Sequence, residues 1–144
     1  MTEIQKTATV PYSASQMYAL VNDIESYPEF LPWCADARIN ECYDDHLKAS
    51  LTFKASKLEH SFTTENTMQP GRLINVRLVE GPFKHLTGSW RFEARDESHC
   101  FITLRMQFEF KNKILKMALG KTFNKIVNSL VDAFSQRARE LYGT

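Results

Sequence analysis

Apolar and polar residues alternate with a period of two over most of the chain between residues 34 and 110. This alternation is typical of strands that bury one face. Residues 4–10 show the same pattern and predict a first strand, which ends at Pro11. Six further strands are predicted at residues 34–43, 47–55, 58–68, 74–78, 86–92 and 100–110. Because the connections between these six strands are short, we expect neighbouring strands to be antiparallel.

A spacing of three to four residues between apolar positions predicts helices in the remaining segments. Ser13 followed by Gln16 is a capping-box pattern, which predicts a short helix after the first strand. Residues 23–31 predict a second short helical segment, interrupted by Pro28 and closed by Pro32. Residues 112–142 predict one long amphipathic helix.

The long helix is the one predicted element that can cover the apolar face of the sheet. At 1.5 Å per residue, its ~30 residues would span ~45 Å, which is enough to cross the whole domain. We therefore expect an α+β fold in which a curved antiparallel sheet of about seven strands wraps around the C-terminal helix. A curled sheet is wider than one helix at its ends, so an elongated apolar cavity is also expected.

Length and composition indicate one globular domain covering residues 1–144. Hydrophobic residues make up 43% of the chain and charged residues 24%, which argues against wholesale disorder. No apolar run approaches the ~20 residues that a transmembrane helix needs. The first ten residues lack the features of a signal peptide, and the three cysteines form no C-x-x-C pair. Cytoplasmic residence with reduced thiols is therefore expected, without a disulfide framework or a zinc site.

The charges are distributed unevenly. The net charge of +1 argues at first against a nucleic-acid-binding module. Residues 111–144, however, hold seven basic residues against two acidic ones, a net +5, whereas residues 1–110 hold 11 against 15, a net −4. The basic helix is either a solvated outer face or a patch for phosphates on RNA or lipid headgroups.

Residues that could carry catalysis do not form a recognisable constellation. The four histidines are scattered, and the chain contains no G-x-S-x-G motif, no phosphate-binding glycine loop and no metal-ligand spacing. We therefore expect no catalytic residues, no metal site and no required cofactor.

Aromatic residues, 12% of the chain, concentrate in two places of interest. Residues 27–33 combine three aromatic residues with two prolines and predict either a lid over the core or the mouth of a pocket. Phe83 follows Gly81 and Pro82 in a predicted loop, where it either plugs the core, the favoured interpretation, or gates a cavity. Gly120 inside the long helix indicates a kink, a close approach to a strand or room for a ligand.

Several segments together resemble a known family. They are PYSASQMYALVNDIESYPEFLPWC, LVEGPFKHLTGSWRF, FEFKNKILKMALGKTF and a final helix ending in VDAFSQRARELY. They resemble the coenzyme Q-binding, START-like group within the polyketide cyclase and lipid-transfer superfamily, over nearly the whole chain. The resemblance implies the helix-grip fold, also called START-like or Bet v 1-like. The motif positions in this chain are Tyr27, Pro28, Phe30, Leu31, Pro32 and Trp33, with Gly81, Pro82, Phe83, Leu86, Gly88 and Trp90.

The resemblance implies two kinds of non-enzymatic function. A bacterial toxin in this group binds the large (50S) ribosomal subunit and hinders 70S formation, and a toxin implies an antitoxin as a further partner. In that hypothesis the rRNA phosphates would be contacted by Lys113, Lys116, Lys121 and Lys125. Mitochondrial members bind ubiquinone in an apolar tunnel and support respiration.

The second function predicts a site for ubiquinone or another isoprenoid lipid. The candidate ligand-binding residues are Tyr27, Phe30, Leu31, Trp33, Phe53, Phe62, Phe83, Trp90, Leu119 and Phe123. A third and weaker hypothesis is a polyketide cyclase or aromatase. That reaction needs an acid–base group inside the tunnel, for which His60, Glu65 and Arg77 are the candidates.

Overall fold

The computed structural model describes residues 1–55 and 57–143 and contains one sheet, two α-helices and a short 3-10 helix. The strands are β1 Thr2–Val10, β2 Cys34–Cys42, β3 His46–Ala55, β4 Leu58–Gln69, β5 Leu73–Glu80, β6 Phe83–Ala94 and β7 Cys100–Phe110. The helices are α1 Ala14–Asn22, the 3-10 helix Ile24–Glu29 and α2 Lys113–Tyr142.

All seven strands form a single antiparallel sheet in the order β1-β7-β6-β5-β4-β3-β2. From β2 to β7, each strand pairs with the next one along the chain, as the short connections predict. β1 joins the far edge by pairing with β7, so that Thr2 lies opposite Phe108 and Val10 opposite Cys100. The predicted seven-stranded curved sheet with a long C-terminal helix is confirmed.

The two short helices form as the local sequence predicts. The Ser13 hydroxyl accepts a hydrogen bond from the Gln16 backbone N–H at 3.1 Å, and the Gln16 side chain accepts from the Ser13 N–H at 2.9 Å. This reciprocal pair satisfies two N–H groups that the start of α1 would otherwise leave open. Pro28 lies inside the 3-10 helix, and the chain enters β2 soon afterwards.

Helix α2 lies across the inner face of the sheet and closes the core. It contacts β1, β3 and β7 and also packs against α1. Its inward face carries an apolar stripe at three- and four-residue spacing: Leu119, Phe123, Ile126, Val127, Val131, Phe134 and Ala138. None of the helices in the described ranges is both long and apolar enough to cross a bilayer.

Phe83 lies in a strand rather than in the predicted loop. It is the first residue of β6 and is only 2% exposed. Its ring lies 4.8 Å from the Phe123 ring and 4.9 Å from the Phe110 ring, measured between centroids. The loop before it needs glycine, because Gly81 has φ +153° and an added Cβ would lie 2.6 Å from the Phe62 Cβ. Phe83 therefore plugs one end of the core.

Gly120 does not interrupt α2, which continues as one helix from Lys113 to Tyr142. A Cβ added at Gly120 would meet the Phe110 ring at 3.9 Å, which is ordinary van der Waals contact. The helix is therefore continuous at Gly120, where the sequence indicates a kink.

Candidate functional site

An apolar cavity of about 80 Å³ lies between α2 and the inner face of the sheet. Its walls come from α1, the 3-10 helix, strands β3 to β7 and the middle of α2. Five of the ten predicted ligand-binding residues line it: Tyr27, Trp33, Phe62, Trp90 and Phe123. The cavity expected from the sheet geometry is therefore present, and half of the predicted residues surround it.

The other five predicted residues pack beside the cavity and do not line it. They are Phe30, Leu31, Phe53, Phe83 and Leu119. All except Phe30 are at most 2% exposed. Phe30 is partly buried, with its ring 5.3 Å from that of Phe134, a lining residue. These side chains therefore support the cavity wall from behind, and any contact with a ligand would require them to move.

The cavity is too small, as it stands, for a ring-containing ligand. A cavity of ~150 Å³ accommodates benzene, and ligand pockets commonly exceed ~300 Å³. Four lining residues, Trp33, Leu51, Val76 and Leu130, are only half-buried and mark where the cavity approaches solvent. An isoprenoid quinone could therefore enter only if side chains at this end shifted.

Two polar residues interrupt the apolar lining. Thr64 and Asn66 on β4 are 6% and 7% exposed, and the Thr64 hydroxyl donates to the Asn66 side-chain oxygen at 2.8 Å. Sequence reasoning missed both, although they occupy inward positions of β4 on the same face as Phe62. A polar residue at an inward position of an alternating strand is the signal that could have identified them.

The indole N–H of Trp33 is buried and has no hydrogen-bond partner among residues 1–55 and 57–143. A buried donor without an acceptor costs about 1–3 kcal/mol. Because Trp33 lines the cavity, an acceptor atom on a bound molecule could satisfy this donor.

Tyr27 is the one titratable side chain in the described cavity lining, and it is held as a neutral hydrogen-bond donor. Its hydroxyl donates to the Val21 backbone carbonyl. Burial raises the pKa of Tyr27 well above its ordinary value, so the phenol stays neutral.

The three candidate residues for a cyclase reaction lie outside the cavity lining. Glu65 falls between Thr64 and Asn66 on β4 and therefore faces the outside of the sheet, where Arg77 forms an ion pair with it. The hydrogen bond from Arg77 lowers the pKa of the Glu65 carboxyl below its ordinary value. The His60 ring lies 5.8 Å from that of Phe53. The described ranges also contain no cluster of three or more metal-binding side chains.

A second depression, of about 320 Å³, lies at the start of α2. We call it the α2 cleft, and four lysines line it: Lys84, Lys111, Lys113 and Lys116. Glu109 is the single carboxylate in the described lining. Lys84 belongs to β6 and was not among the sequence candidates, because its position is far from the helix in the chain. The register that pairs Phe83 with Phe110 brings Lys84 close to Lys111.

The four predicted phosphate-contacting lysines divide between two surfaces. Lys113 and Lys116 line the α2 cleft, whereas Lys121 and Lys125 do not. Lys121 and Lys125 are exposed and, four residues apart, project from the helix face opposite the buried stripe. The four lysines therefore do not line a single depression.

The sequence and the fold are similar to those of several known proteins. Residues 10–135 match the family described as polyketide cyclase/dehydrase and lipid transport. Ribosome association toxin RatA of Pseudomonas aeruginosa is 43% identical over 142 residues, covering 99% of both chains. Coenzyme Q-binding protein COQ10 homolog B, a mitochondrial protein of Xenopus laevis, is 26% identical over 98% of this chain and 59% of its own. The crystal structure of the Zhui aromatase/cyclase from Streptomyces has a TM-score of 0.79 at 18% identity, covering 95% of this chain and 93% of that one.

These matches agree with the architecture described above. The similarity to the aromatase/cyclase establishes a common fold only, because the sequence identity is low. The similarity to the toxin extends from end to end at an identity where the family assignment is secure. The chain therefore belongs to the polyketide cyclase/dehydrase and lipid transport family.

Proposed function

We propose that the protein binds the large (50S) ribosomal subunit and hinders 70S formation without catalysing a reaction. The observation that carries this proposal is the 43% identity to a ribosome association toxin over 99% of both chains. Similarity of this extent includes surface positions as well as the core. An antitoxin is a further partner in this proposal, and the cytoplasm is the compartment where both would act.

The charge distribution supports a contact with rRNA. The segment from residue 111 to residue 144 carries a net +5, and residues 1–110 carry −4. This asymmetry would orient the basic helix towards a polyanion during encounter. Lys121 and Lys125 on the outer face, with Lys113 and Lys116 in the α2 cleft, would each neutralise phosphates if rRNA wraps around the start of the helix.

The described cavity lining supports binding rather than catalysis. Its one titratable side chain, Tyr27, is held neutral by burial, and the candidate acid–base residues of a cyclase lie elsewhere. An aromatase or cyclase reaction would need a group that takes up and returns a proton inside the cavity.

The ribosome proposal is tested by binding the purified protein to isolated large subunits at several salt concentrations. Replacing both Lys121 and Lys125 by glutamine should weaken binding and flatten the logarithmic salt slope by roughly 0.7–0.9 per lost contact. Lys54→Gln is the matched control, because Lys54 is exposed between the buried Phe53 and Ala55 on β3 and therefore projects from the outer face of the sheet, whereas α2 lies on the inner face. An unchanged affinity and an unchanged slope in the double variant would contradict the assigned lysine contacts.

A second candidate function is the carriage of an apolar ligand that has a hydrogen-bond acceptor, such as ubiquinone or another isoprenoid quinone. The specific observation that favours it is the unpartnered Trp33 N–H in an otherwise apolar cavity lining. The 26% identity to a coenzyme Q-binding protein also supports it. In this proposal Tyr27, Trp33, Phe62, Trp90 and Phe123 contact the ligand, and Phe30, Leu31, Phe53, Phe83 and Leu119 back or gate the site.

Quenching of tryptophan fluorescence by added quinone tests this second function. Trp33→Phe keeps an aromatic ring but removes the donor, and it should weaken quinone binding by about tenfold. A polyisoprenoid hydrocarbon of matched length, which lacks carbonyl groups, is the control ligand. It should bind both proteins equally, as judged by competition with a fluorescent fatty acid. If Trp33→Phe lost affinity equally for the quinone and for the hydrocarbon, the packing of the ring would matter for binding and the N–H would not.

A further inference from the structure

The first two turns of α2 expose apolar side chains that are not explained by the core. Ile114 is 79% exposed and Met117 is 85% exposed, the two highest values among the exposed large apolar residues of the described chain. Residues three apart on an α-helix lie on the same face, so these side chains form an adjacent pair. Leu119, by contrast, turns inward and is 1% exposed. Packing within the described chain therefore leaves this apolar pair uncovered.

Lysines lie beside this apolar pair, and Lys113 shares its helix face because it is four residues before Met117. Lys113 and Lys116 lie on the same two turns, and Lys84 and Lys111 complete the lining of the α2 cleft beside them. The ion pairs found in residues 1–55 and 57–143 do not involve any of these four lysines. Only Glu109 opposes them in the described lining. The start of α2 thus combines an exposed apolar tip with uncompensated positive charge.

We infer that the start of α2 docks the protein on an anionic lipid surface. The lysines would lie at the level of the phosphate headgroups, and Ile114 and Met117 would enter the boundary between headgroups and acyl chains. Charge complementarity alone would suit RNA equally well. The apolar pair favours a lipid partner over RNA. A bilayer offers an apolar phase for the two aliphatic side chains, whereas an RNA backbone would leave them in water.

The binding should be weak and reversible. Two aliphatic side chains and four lysines provide far less membrane-binding free energy than a transmembrane helix does. Each lysine that contacts a headgroup raises the affinity about fivefold. The docking surface is also close to the cavity, since Phe123 follows Met117 by six residues, or ~9 Å along the helix. Docking requires neither ribosome binding nor an occupied cavity, but it would compete with rRNA for Lys113 and Lys116.

Co-sedimentation of the full chain with vesicles tests the inference. Vesicles of phosphatidylcholine mixed with phosphatidylglycerol should bind the protein, pure phosphatidylcholine vesicles should bind it at least tenfold more weakly, and added salt should release it. The double variant Ile114→Gln, Met117→Gln should lose binding by about tenfold or more. Leu141→Gln is the matched control, because Leu141 is 53% exposed in the last turn of α2, 24 residues or ~36 Å along the helix from Met117. Both substitutions are at the surface, and an unchanged circular dichroism spectrum verifies folding.

Two results would overturn the inference. The first is no binding of the wild-type chain to anionic vesicles at low salt. The second is equal vesicle binding by wild type and the Ile114→Gln, Met117→Gln variant. If that variant also lost affinity for isolated large ribosomal subunits, the apolar pair would belong to a ribosomal contact instead.

Discussion

The substitution Ala49→Val tests whether the central cavity is an available void. Ala49 lies on β3, is 2% exposed and lines the cavity. A valine here would place two additional methyl carbons into the cavity, and its β-branched side chain suits a strand. The protein should therefore become more stable while its ability to hold an apolar ligand decreases.

The expected magnitude follows from the cavity volume. At about 24 cal/mol per Å³, an empty cavity of about 80 Å³ costs the fold about 2 kcal/mol. Two buried methyl groups at ~0.8 kcal/mol each would recover most of this amount, less a small rotamer cost. We expect the free energy of unfolding to rise by about 1 kcal/mol and Tm by roughly 2–6 °C.

Urea denaturation, followed by tryptophan fluorescence, measures the stability change. Ala55→Val is the matched control, because Ala55 is on the same strand and face, is 4% exposed and does not line the cavity. Overpacking there should destabilise the protein by about 1–3 kcal/mol. Quinone binding, if present, should weaken at least tenfold in Ala49→Val only, and large-subunit binding should change in neither variant.

The reasoning would be refuted if Ala49→Val destabilised the protein as much as Ala55→Val, because the cavity would then not be free space. Unchanged quinone affinity in a stabilised Ala49→Val variant would refute the ligand site alone. Loss of ribosome binding in that variant would show that the two functions share the cavity.

Three further predictions concern packing, capping and titration. Phe83→Ala should lower the free energy of unfolding by about 3–5 kcal/mol, measured by urea denaturation, because Phe83 is 2% exposed within the aromatic core. Ser13→Ala should cost about 1 kcal/mol in the same assay, since it removes the acceptor that caps α1. Burial raises the pKa of Cys34 and of Cys100 to about 11, so the folded state holds both thiol protons more tightly than the unfolded state. Stability should therefore be complete below the unfolded thiol pKa of ~8.5 and fall as the pH rises towards about 11, and alkylation of the native protein should label exposed Cys42 first.

The sequence predicts the elements of this fold because each one has a local signal. Alternation identifies β3, β4 and β7, and the Ser13 and Gln16 pair identifies the start of α1. Phe83 is the exception. Gly81 and Pro82 predict a loop that includes Phe83, whereas in the structure Phe83 pairs with Phe110 within the sheet.

The site is less predictable than the fold because it depends on how several elements meet. Alternation indicates that Phe53 and Phe62 face inward but not which of them borders the void, since this depends on side-chain volumes from several strands and helices. Lys84 joins Lys111 only through the register between β6 and β7, a contact between residues far apart in the chain.

The most direct test of the central claim is a sucrose gradient of purified small and large ribosomal subunits mixed with this protein in excess at low salt. The account predicts that the protein co-sediments with the large subunit and that the 70S peak decreases as free subunits increase. A 70S peak of unchanged size, with the protein remaining at the top of the gradient, would contradict it.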